Sequence, residues 1–144
     1  MTSDKLGLTK WLRSVVIGAV MTMRVEAEPS PARRVSRFGT YYAKPYATWK
    51  AACQQQMAAQ IQREIGPIGT RLAAVVEVIV QKPKTTKLTA PKGDVDNYAK
   101  GVLDGATKAG DWGDDTQVHV LVAAKRWTEP GEAPGAIVHI GAIE

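Results

Sequence analysis

The sequence predicts a mixed α/β fold: a single compact domain in which a small mixed β-sheet packs with two main helices. Two observations carry this prediction. Stretches with strand-like and helix-like spacing of apolar residues follow one another in the order strand, helix, strand, helix, strand, strand. The chain has 144 residues, of which 44% are hydrophobic and 23% charged, as is usual for one globular domain. Wholesale disorder is excluded by the same composition.

The first half of the chain contains one predicted strand and one long predicted helix. Apolar and polar residues alternate over residues 19–27, which predicts a strand that ends at the prolines following it. A basic loop over residues 33–39 comes next. Residues 46–65 have the spacing of a long helix, and Gly66-Pro67 is expected to end it.

The second half contains an amphipathic helix between strands. The predicted elements are a buried strand at 72–80, a lysine-rich loop at 82–92, a helix at 97–109 ended by Gly110, and strands at 116–127 and 136–143. One face of this helix is apolar and consists of Ala99, Val102, Leu103 and Ala106. Another face carries alternating charges at i,i+4 spacing, namely Asp96, Lys100, Asp104 and Lys108.

Several classes of protein are excluded by what the sequence lacks. The single cysteine, Cys53, rules out an internal disulfide framework and a Cys-rich zinc site, and its helical setting predicts a small buried side chain. No phosphate-binding loop, dinucleotide fingerprint or nucleophile elbow occurs. The apolar run at 15–21 is too short to span a bilayer and lacks a clear cleavage site, so no membrane association and a cytoplasmic location are expected. Residues 1–20 are interpreted as an N-terminal extension and residues 21–144 as the domain.

The charge balance suggests a polyanionic partner. Lys and Arg number 19 against 14 Asp and Glu, which gives a net charge of +5. Much of the positive charge lies in two loops whose flanking strands are expected to share one sheet. We predict that these loops form a surface that follows phosphates, with contributions from Arg33, Arg34, Arg37, Lys82, Lys84, Lys87 and Lys92.

Five aspartates are candidates for metal chemistry: Asp94, Asp96, Asp104, Asp114 and Asp115. Hard divalent cations such as Mg²⁺ take oxygen ligands, and a metal held by carboxylates can activate water for attack on phosphorus. The alternative is structural, with Asp96 as the N-cap of the helix and the Asp114-Asp115 pair in a turn. Residue types alone leave a metal-dependent nuclease and a basic binding domain with structural acids both open.

The acidic segments also carry a family resemblance. Residues 92–105 contain Asp94-Val95-Asp96-Asn97, a lysine four residues after the second Asp and an Asp four residues further on. Residues 110–118 contain Asp-Asp-x-Gln-Val, and Lys125 follows in the next strand. This pattern resembles the RusA family of Holliday junction resolvases. The resemblance covers about residues 21–143 and is most specific over residues 94–118.

The resemblance implies a RusA-like fold and a function in DNA recombination and repair. The implied activity is Mg²⁺-dependent cleavage of four-way DNA junctions by a homodimer, an endodeoxyribonuclease in which Mn²⁺ would substitute for Mg²⁺. By the same resemblance, Asp94, Asp96 and Asp115 are metal-binding carboxylates, Lys100 is the active-site lysine, and Asp104 and Asp114 are supporting acids. Family members are often encoded by phages and prophages. The alternatives are a flap nuclease, a general branched-DNA-binding protein or a non-catalytic relative of the same fold.

A shared active site is expected from the length of the helix. A helix over residues 97–109 is ~20 Å long, with Asp94 and Asp96 at its start and Asp115 beyond its end. Carboxylates that share one Mg²⁺ must each come within ~2.1 Å of it or bind it through a water. We therefore expect Asp115 of one chain to meet Asp94 and Asp96 of the other in a two-fold dimer.

Overall fold

The structure is a computed structural model that describes residues 6–31, 34–36, 39–41, 44–61, 67, 69–110 and 112–144, with the backbone alone at 34–36, 39–41 and 115. In chain order the elements are α1 (Leu8–Val15), β1 (Met21–Glu26), β2 (Arg34–Ser36), β3 (Gly39–Tyr41), α2 (Lys44–Gln60), β4 (Arg71–Val80), α3 (Val95–Ala109), a 3₁₀ turn (Asp115–Gln117), β5 (Val118–Trp127) and β6 (Gly135–Ile143). Across the described residues, no helix combines the length and the apolar character needed to cross a lipid bilayer.

The main sheet has four strands in the order β1-β6-β4-β5. Strand β6 is antiparallel to both of its neighbours, β1 and β4, whereas β5 is parallel to β4. Strands β1, β4 and β5 therefore run in the same direction and end together, at what we call the carboxyl end of the sheet. Strands β2 and β3 form a separate antiparallel hairpin. This arrangement confirms the predicted mixed α/β fold.

One face of the sheet is covered by α2 and α3. The buried positions of α2 are Tyr46, Trp49, Cys53 and Met57, and those of α3 include Ala99, Val102 and Ala106. All of them belong to one apolar core with the inward residues of the strands. Burial raises the pKa of the Cys53 thiol, as expected for a structural rather than a reactive cysteine.

The two helices approach closely at two glycines of α3. A Cβ atom on Gly101 would lie 2.8 Å from Trp49, and one on Gly105 would lie 2.6 Å from the Cβ of Cys53. Neither position therefore has room for a side chain. The crossing fixes α3 across β4 and β5, which sets where the first residues of α3 stand.

The opposite face of the sheet is covered in part by α1. Leu12 is fully buried and packs with Ala73 and Val75 of β4, with Leu8 and Val16 beside it. This helix lies in the segment that precedes the first predicted strand and is missing from the predicted order of elements. The division into an extension of residues 1–20 and a domain of residues 21–144 stays a prediction.

The remaining differences from prediction are local. Helix α3 begins at Val95, two residues before the predicted start at Asn97, and its end at Gly110 is confirmed by a left-handed backbone with φ of 94°. Helix α2 spans Lys44–Gln60 rather than 46–65; residues 62–66, with Gly66, lie outside the described residues. The basic segment predicted as a loop contains the β2–β3 hairpin, whose three-residue strands are too short to give a clear alternating pattern.

The β1 edge of the sheet is bonded by side chains of α2. At the β1 edge, two glutamines one turn apart on α2 bond the strand backbone. The side-chain amide of Gln60 accepts from the Arg24 N–H at 2.9 Å and donates to the Arg24 carbonyl at 2.5 Å. Gln56 does the same at Glu26, at 2.8 and 2.9 Å. The outward backbone groups of Arg24 and Glu26 are thus satisfied as a neighbouring strand would satisfy them.

Candidate active site

The first two candidate acids lie at the N-terminus of α3. Asp94 is the N-cap residue, with an extended backbone (φ −65°, ψ 136°), and its carboxylate makes no capping hydrogen bond. Asp96 lies inside the first turn, so the expectation that Asp96 caps this helix is wrong: the helix begins two residues earlier. Both side chains are exposed at the carboxyl end of the sheet. The positive end of the helix dipole favours negative charge here.

The backbone before Asp94 is held in place by Lys125 at the end of β5. The Lys125 Nζ donates a hydrogen bond of 2.7 Å to the Gly93 carbonyl. Gly93 is itself closely packed, because a Cβ there would lie 2.7 Å from the ring of Tyr98 and 3.0 Å from Pro31. Lys125, the lysine of β5 in the resemblance to the RusA family, therefore fixes the backbone that leads into Asp94.

The ring of Tyr98 packs against the backbone of Gly93. Its ring is buried, and desolvation is the main cause that raises the pKa of its hydroxyl, opposed by the Gly93 amide and reinforced by the charge of Glu28. Desolvation likewise raises the pKa of Glu28, which follows β1, while the Gln81 amide after β4 lowers it. The segments after β1 and β4 thus meet at the start of α3.

The polar face of α3 carries the candidate lysine. The Lys100 Nζ lies 3.8 Å from Oδ2 of Asp104, and its side chain is 45% exposed, so the ion pair is loose. The same Asp104 oxygen accepts a 3.0 Å hydrogen bond from the hydroxyl of Tyr46 on α2. Asp104 therefore restrains Lys100 one turn from Asp96. The sequence analysis missed Tyr46 as a partner, because tertiary packing alone brings α2 beside α3.

The predicted lysine loop lies at this same end of the sheet. The Lys82 amide donates to Oγ1 of Thr128 at 3.1 Å, and the Trp127 indole donates to the Leu88 carbonyl at 3.0 Å. These bonds tie the loop to the end of β5, and the loop carries four exposed lysines: Lys82, Lys84, Lys87 and Lys92. Of the other predicted basic residues, Arg34 begins β2, whereas Arg33 and Arg37 lie outside the described residues.

Asp114 and Asp115 stand at the opposite end of the sheet, where β5 begins. Asp114 accepts bonds from the 3₁₀ turn, one at Oδ1 from the Thr116 amide at 3.3 Å and one at its carbonyl from the Gln117 amide at 3.1 Å. The buried side chain of Gln117 accepts from the Gly113 and Asp114 amides and donates to the Pro67 and Thr70 carbonyls. The glutamine of the Asp-Asp-x-Gln-Val motif therefore ties the turn to the start of β4.

The structure brings Asp94, Asp96 and Lys100 together but not Asp115 of the same chain. Val118 and Lys125 are seven positions apart on an extended strand, which corresponds to ~23 Å. Asp115 precedes Val118, while the acidic motif adjoins Lys125. Among the residues whose side chains are described, no group of three His, Cys, Asp or Glu could hold a metal ion.

One end of the mixed sheet carries an exposed pair of acids, a lysine beside Asp104 and a lysine-rich loop. This combination is typical of an enzyme that acts on a phosphodiester backbone. The chain belongs to the RusA family: the model of endodeoxyribonuclease RusA matches residues 25–140. This match confirms both the predicted family of Holliday junction resolvases and the predicted class of enzyme, an endodeoxyribonuclease. No curated protein was found that matches the chain.

Proposed function

We propose that this protein is a Mg²⁺-dependent endonuclease that resolves four-way DNA junctions in recombination and repair, as a homodimer. The observation that carries the proposal is the grouping of Asp94, Asp96 and Lys100 beside the lysine loop. The match to the RusA family supports it.

Asp94 and Asp96 are the proposed metal ligands from one chain. Their carboxylates suit a hard cation such as Mg²⁺ or Mn²⁺, and the Asp94 carboxylate is not used for capping. Two carboxylates fill only part of the octahedral coordination shell of Mg²⁺, and Asp115 of the same chain is ~23 Å or more along the sheet. We therefore assign the third ligand to Asp115 of the partner subunit. Mg²⁺ bound there would polarise the scissile phosphate and help to generate the attacking hydroxide.

Lys100 is the proposed contact to the reacting phosphate. Its ammonium is exposed, and it reaches along α3 from a position one turn after Asp96. A cation there opposes the negative charge that builds up on the phosphate oxygens in the transition state. Asp104, held by Tyr46, restrains Lys100 without neutralising it fully, because the two charged groups are 3.8 Å apart.

Lys125 is assigned as a positioning residue. Its bond to the Gly93 carbonyl fixes the backbone from which Asp94 projects. The lysine loop, together with the arginines of the hairpin region, supplies the phosphate-following surface. Junction arms that enter at the carboxyl end of the sheet would meet these cations first.

The test of the metal site is Asp96→Asn, which removes a charge at nearly constant size. We expect cleavage of a labelled four-way junction in Mg²⁺ to fall at least ~10³-fold, while junction binding persists. Arg13→Gln on α1 is the matched control, since it removes a charge on the other face of the sheet. Full cleavage by Asp96→Asn would refute the assignment. Linear duplex and a flap substrate show in parallel whether cutting is specific for junctions.

The test of the shared site is to mix two inactive variants, Asp96→Asn and Asp115→Asn. In a mixed dimer with shared sites, both defects fall in one site and the other site is intact. Random exchange should therefore restore nicking to about a quarter of the wild-type sites. If subunit exchange is shown independently and no nicking returns, each site is contained in one chain.

A further inference from the structure

The lysine loop carries one large apolar side chain among its charges. Leu88 is 53% exposed, and no other large apolar side chain in the described part of the chain is exposed at the carboxyl end of the sheet. The others belong to α1 and the residues beside it or to the first half of β5: Leu6, Trp11, Val15, Ile17, Val120 and Leu121. Leu88 therefore stands on the surface where the proposed function places the DNA.

The backbone of Leu88 is held on both sides. Its carbonyl accepts the 3.0 Å hydrogen bond from the Trp127 indole, and its amide donates to Oγ1 of Thr86 at 3.2 Å. Trp127 ends β5 and packs against the main core. The exposed side chain of Leu88 is thus presented from a fixed point, so little backbone freedom is lost when it makes a contact.

Leu88 lies close to the acidic motif. Trp127, which bonds Leu88, and Lys125, which bonds Gly93, are two positions apart on β5, so they share a face and their Cα atoms are ~7 Å apart. Leu88 precedes Asp94 by six positions, which span at most ~22 Å, and one nucleotide of a DNA strand spans ~3.4 Å. Leu88 can therefore reach bases within about six nucleotides of a phosphate bound at Asp94.

Leu88 is surrounded by cations along the chain. Three exposed lysines lie within four positions of it, namely Lys84, Lys87 and Lys92. Their ammonium groups suit the phosphates of a DNA strand, whereas the side chain of Leu88 offers the backbone no hydrogen bond. Leucine is one of the apolar residues that proteins insert between base steps to unstack them. A leucine among phosphate-binding lysines is therefore suited to contact bases.

We propose that Leu88 inserts between bases at the branch point of a four-way junction and determines the preference for junctions over duplex. Leu88 has this role only if four-way junctions are the substrate, as the proposed function holds. Stacking is continuous along a duplex but is interrupted where the arms of a junction meet, so insertion costs less there. The lysines bind the phosphates of both kinds of DNA alike, and Leu88 discriminates between them.

A protein partner fits this surface less well than DNA does. The centres of protein interfaces are depleted of lysine, and a single leucine in a loop with four lysines makes no contiguous apolar patch. DNA accounts for both the apolar side chain and the cations. The two occupants are separated by experiment, because a contact with a partner protein would leave the DNA measurements below unchanged and so overturn the proposal.

The first experiment measures unstacking with 2-aminopurine, a base analogue whose fluorescence rises when it leaves the stack. The analogue is placed at the branch point or about ten base pairs along one arm, and the full-length protein is added in chelator so that no strand is cut. We expect a rise of at least ~3-fold at the branch point and none in the arm. A wild-type protein that gives no rise at the branch point overturns the proposal.

The variants test whether Leu88 causes the rise. Leu88→Ala should remove at least half of it, and Leu88→Met, which keeps an apolar side chain of similar volume, should retain it. Leu6→Ala is the matched control, because it makes the same change at a side chain that is 73% exposed beside α1. An equal rise with Leu88→Ala and with the wild type overturns the proposal.

The second experiment compares binding to a four-way junction and to a duplex of the same sequence by fluorescence anisotropy, again in chelator. Leu88→Ala should weaken junction binding at least ~10-fold and change duplex binding less than ~2-fold. Its melting temperature should match that of the wild type, because the side chain is exposed. An equal loss on both substrates, or no loss on either, overturns the proposal.

Failure of this role and failure of the proposed function give different results. Both measurements are made without cleavage. A rise at the branch point that depends on Leu88, in a protein that cuts no junction when Mg²⁺ is added, would keep the role of Leu88 and reject the nuclease. Cleavage of junctions by a protein in which Leu88→Ala changes neither measurement would reject the role of Leu88 alone.

Discussion

The close approach of α2 and α3 makes Gly105→Ala the most direct probe of how the active site is held. A Cβ on Gly105 would lie 2.6 Å from the Cβ of Cys53, 2.9 Å from the Gln54 amide nitrogen and 3.1 Å from the Cys53 carbonyl carbon. Two of these three atoms belong to backbone and cannot rotate away. The helices must therefore separate by several tenths of an ångström if the methyl group is to fit.

Two effects of opposite sign determine the change in stability. Replacing glycine by alanine inside a helix favours folding by ~1 kcal/mol. Overpacking in a buried contact costs typically ~1–3 kcal/mol, and the backbone contacts place this site toward the upper end. We expect a net loss of ~1–2 kcal/mol in the free energy of unfolding. For a chain of this length the melting temperature should fall by ~3–8 °C.

Denaturant and thermal unfolding measure this loss, and cleavage of a four-way junction measures its consequence for the site. Because α3 carries Asp94 and Asp96 at its start, displacement of the helix should lower cleavage more than the unfolded fraction alone explains. Lys108→Ala, on the exposed face of α3, is the control and should change stability by less than ~0.5 kcal/mol. A Gly105→Ala protein as stable as the wild type would show that the helices do not cross as described.

Two further predictions concern charge. The hydrogen bonds from Arg126 are the main cause that lowers the pKa of Glu132 from 4.5 to about 2, so the stabilisation is present above pH 4.5 and is lost as the pH falls through about 2. Glu132→Gln should therefore lower the free energy of unfolding by ~1–2 kcal/mol at pH 7, after a discount for solvent screening. The variant should also lose less stability than the wild type as the pH falls toward 2, as measured by urea unfolding at several pH values. The same dependence on acidic pH in both proteins would contradict the prediction. Lys84→Gln with Lys87→Gln should reduce the slope of log binding constant against log salt concentration by up to ~1.8 for a four-way junction. Fluorescence anisotropy measures the binding constant, and Arg13→Gln is the control. A slope equal to that of the control would mean that the loop does not contact DNA.

The elements in which apolar residues recur with a strong period could be predicted from the sequence. Of the predicted apolar stripe of α3, Ala99, Val102 and Ala106 are buried and Leu103 is partly buried. Strand β4 is the buried run that its β-branched residues predict. Helix α1 was missed because it has only eight residues and buries a single one completely, Leu12. The insertion of β6 between β1 and β4 has no local signal, since strand order depends on long-range pairing.

The candidate site was predictable in composition and in part in geometry. The separation of Asp115 from Asp94 and Asp96 follows from helix length, and the parallel pairing of β4 with β5 places them at opposite ends of the sheet. The bonds that hold the site, from Lys125 to Gly93 and from Tyr46 to Asp104, join residues 32 and 58 positions apart. Contacts at such distances depend on how the elements pack, and periodicity does not reveal them.

The two glutamines on the β1 edge have a consequence for solubility. A strand at the edge of a sheet presents unpaired backbone groups that can bond a strand of another molecule. Gln56 and Gln60 occupy those groups at Glu26 and Arg24 from within the chain. A chain with both glutamines replaced by alanine would expose them again and is expected to aggregate more readily through β1.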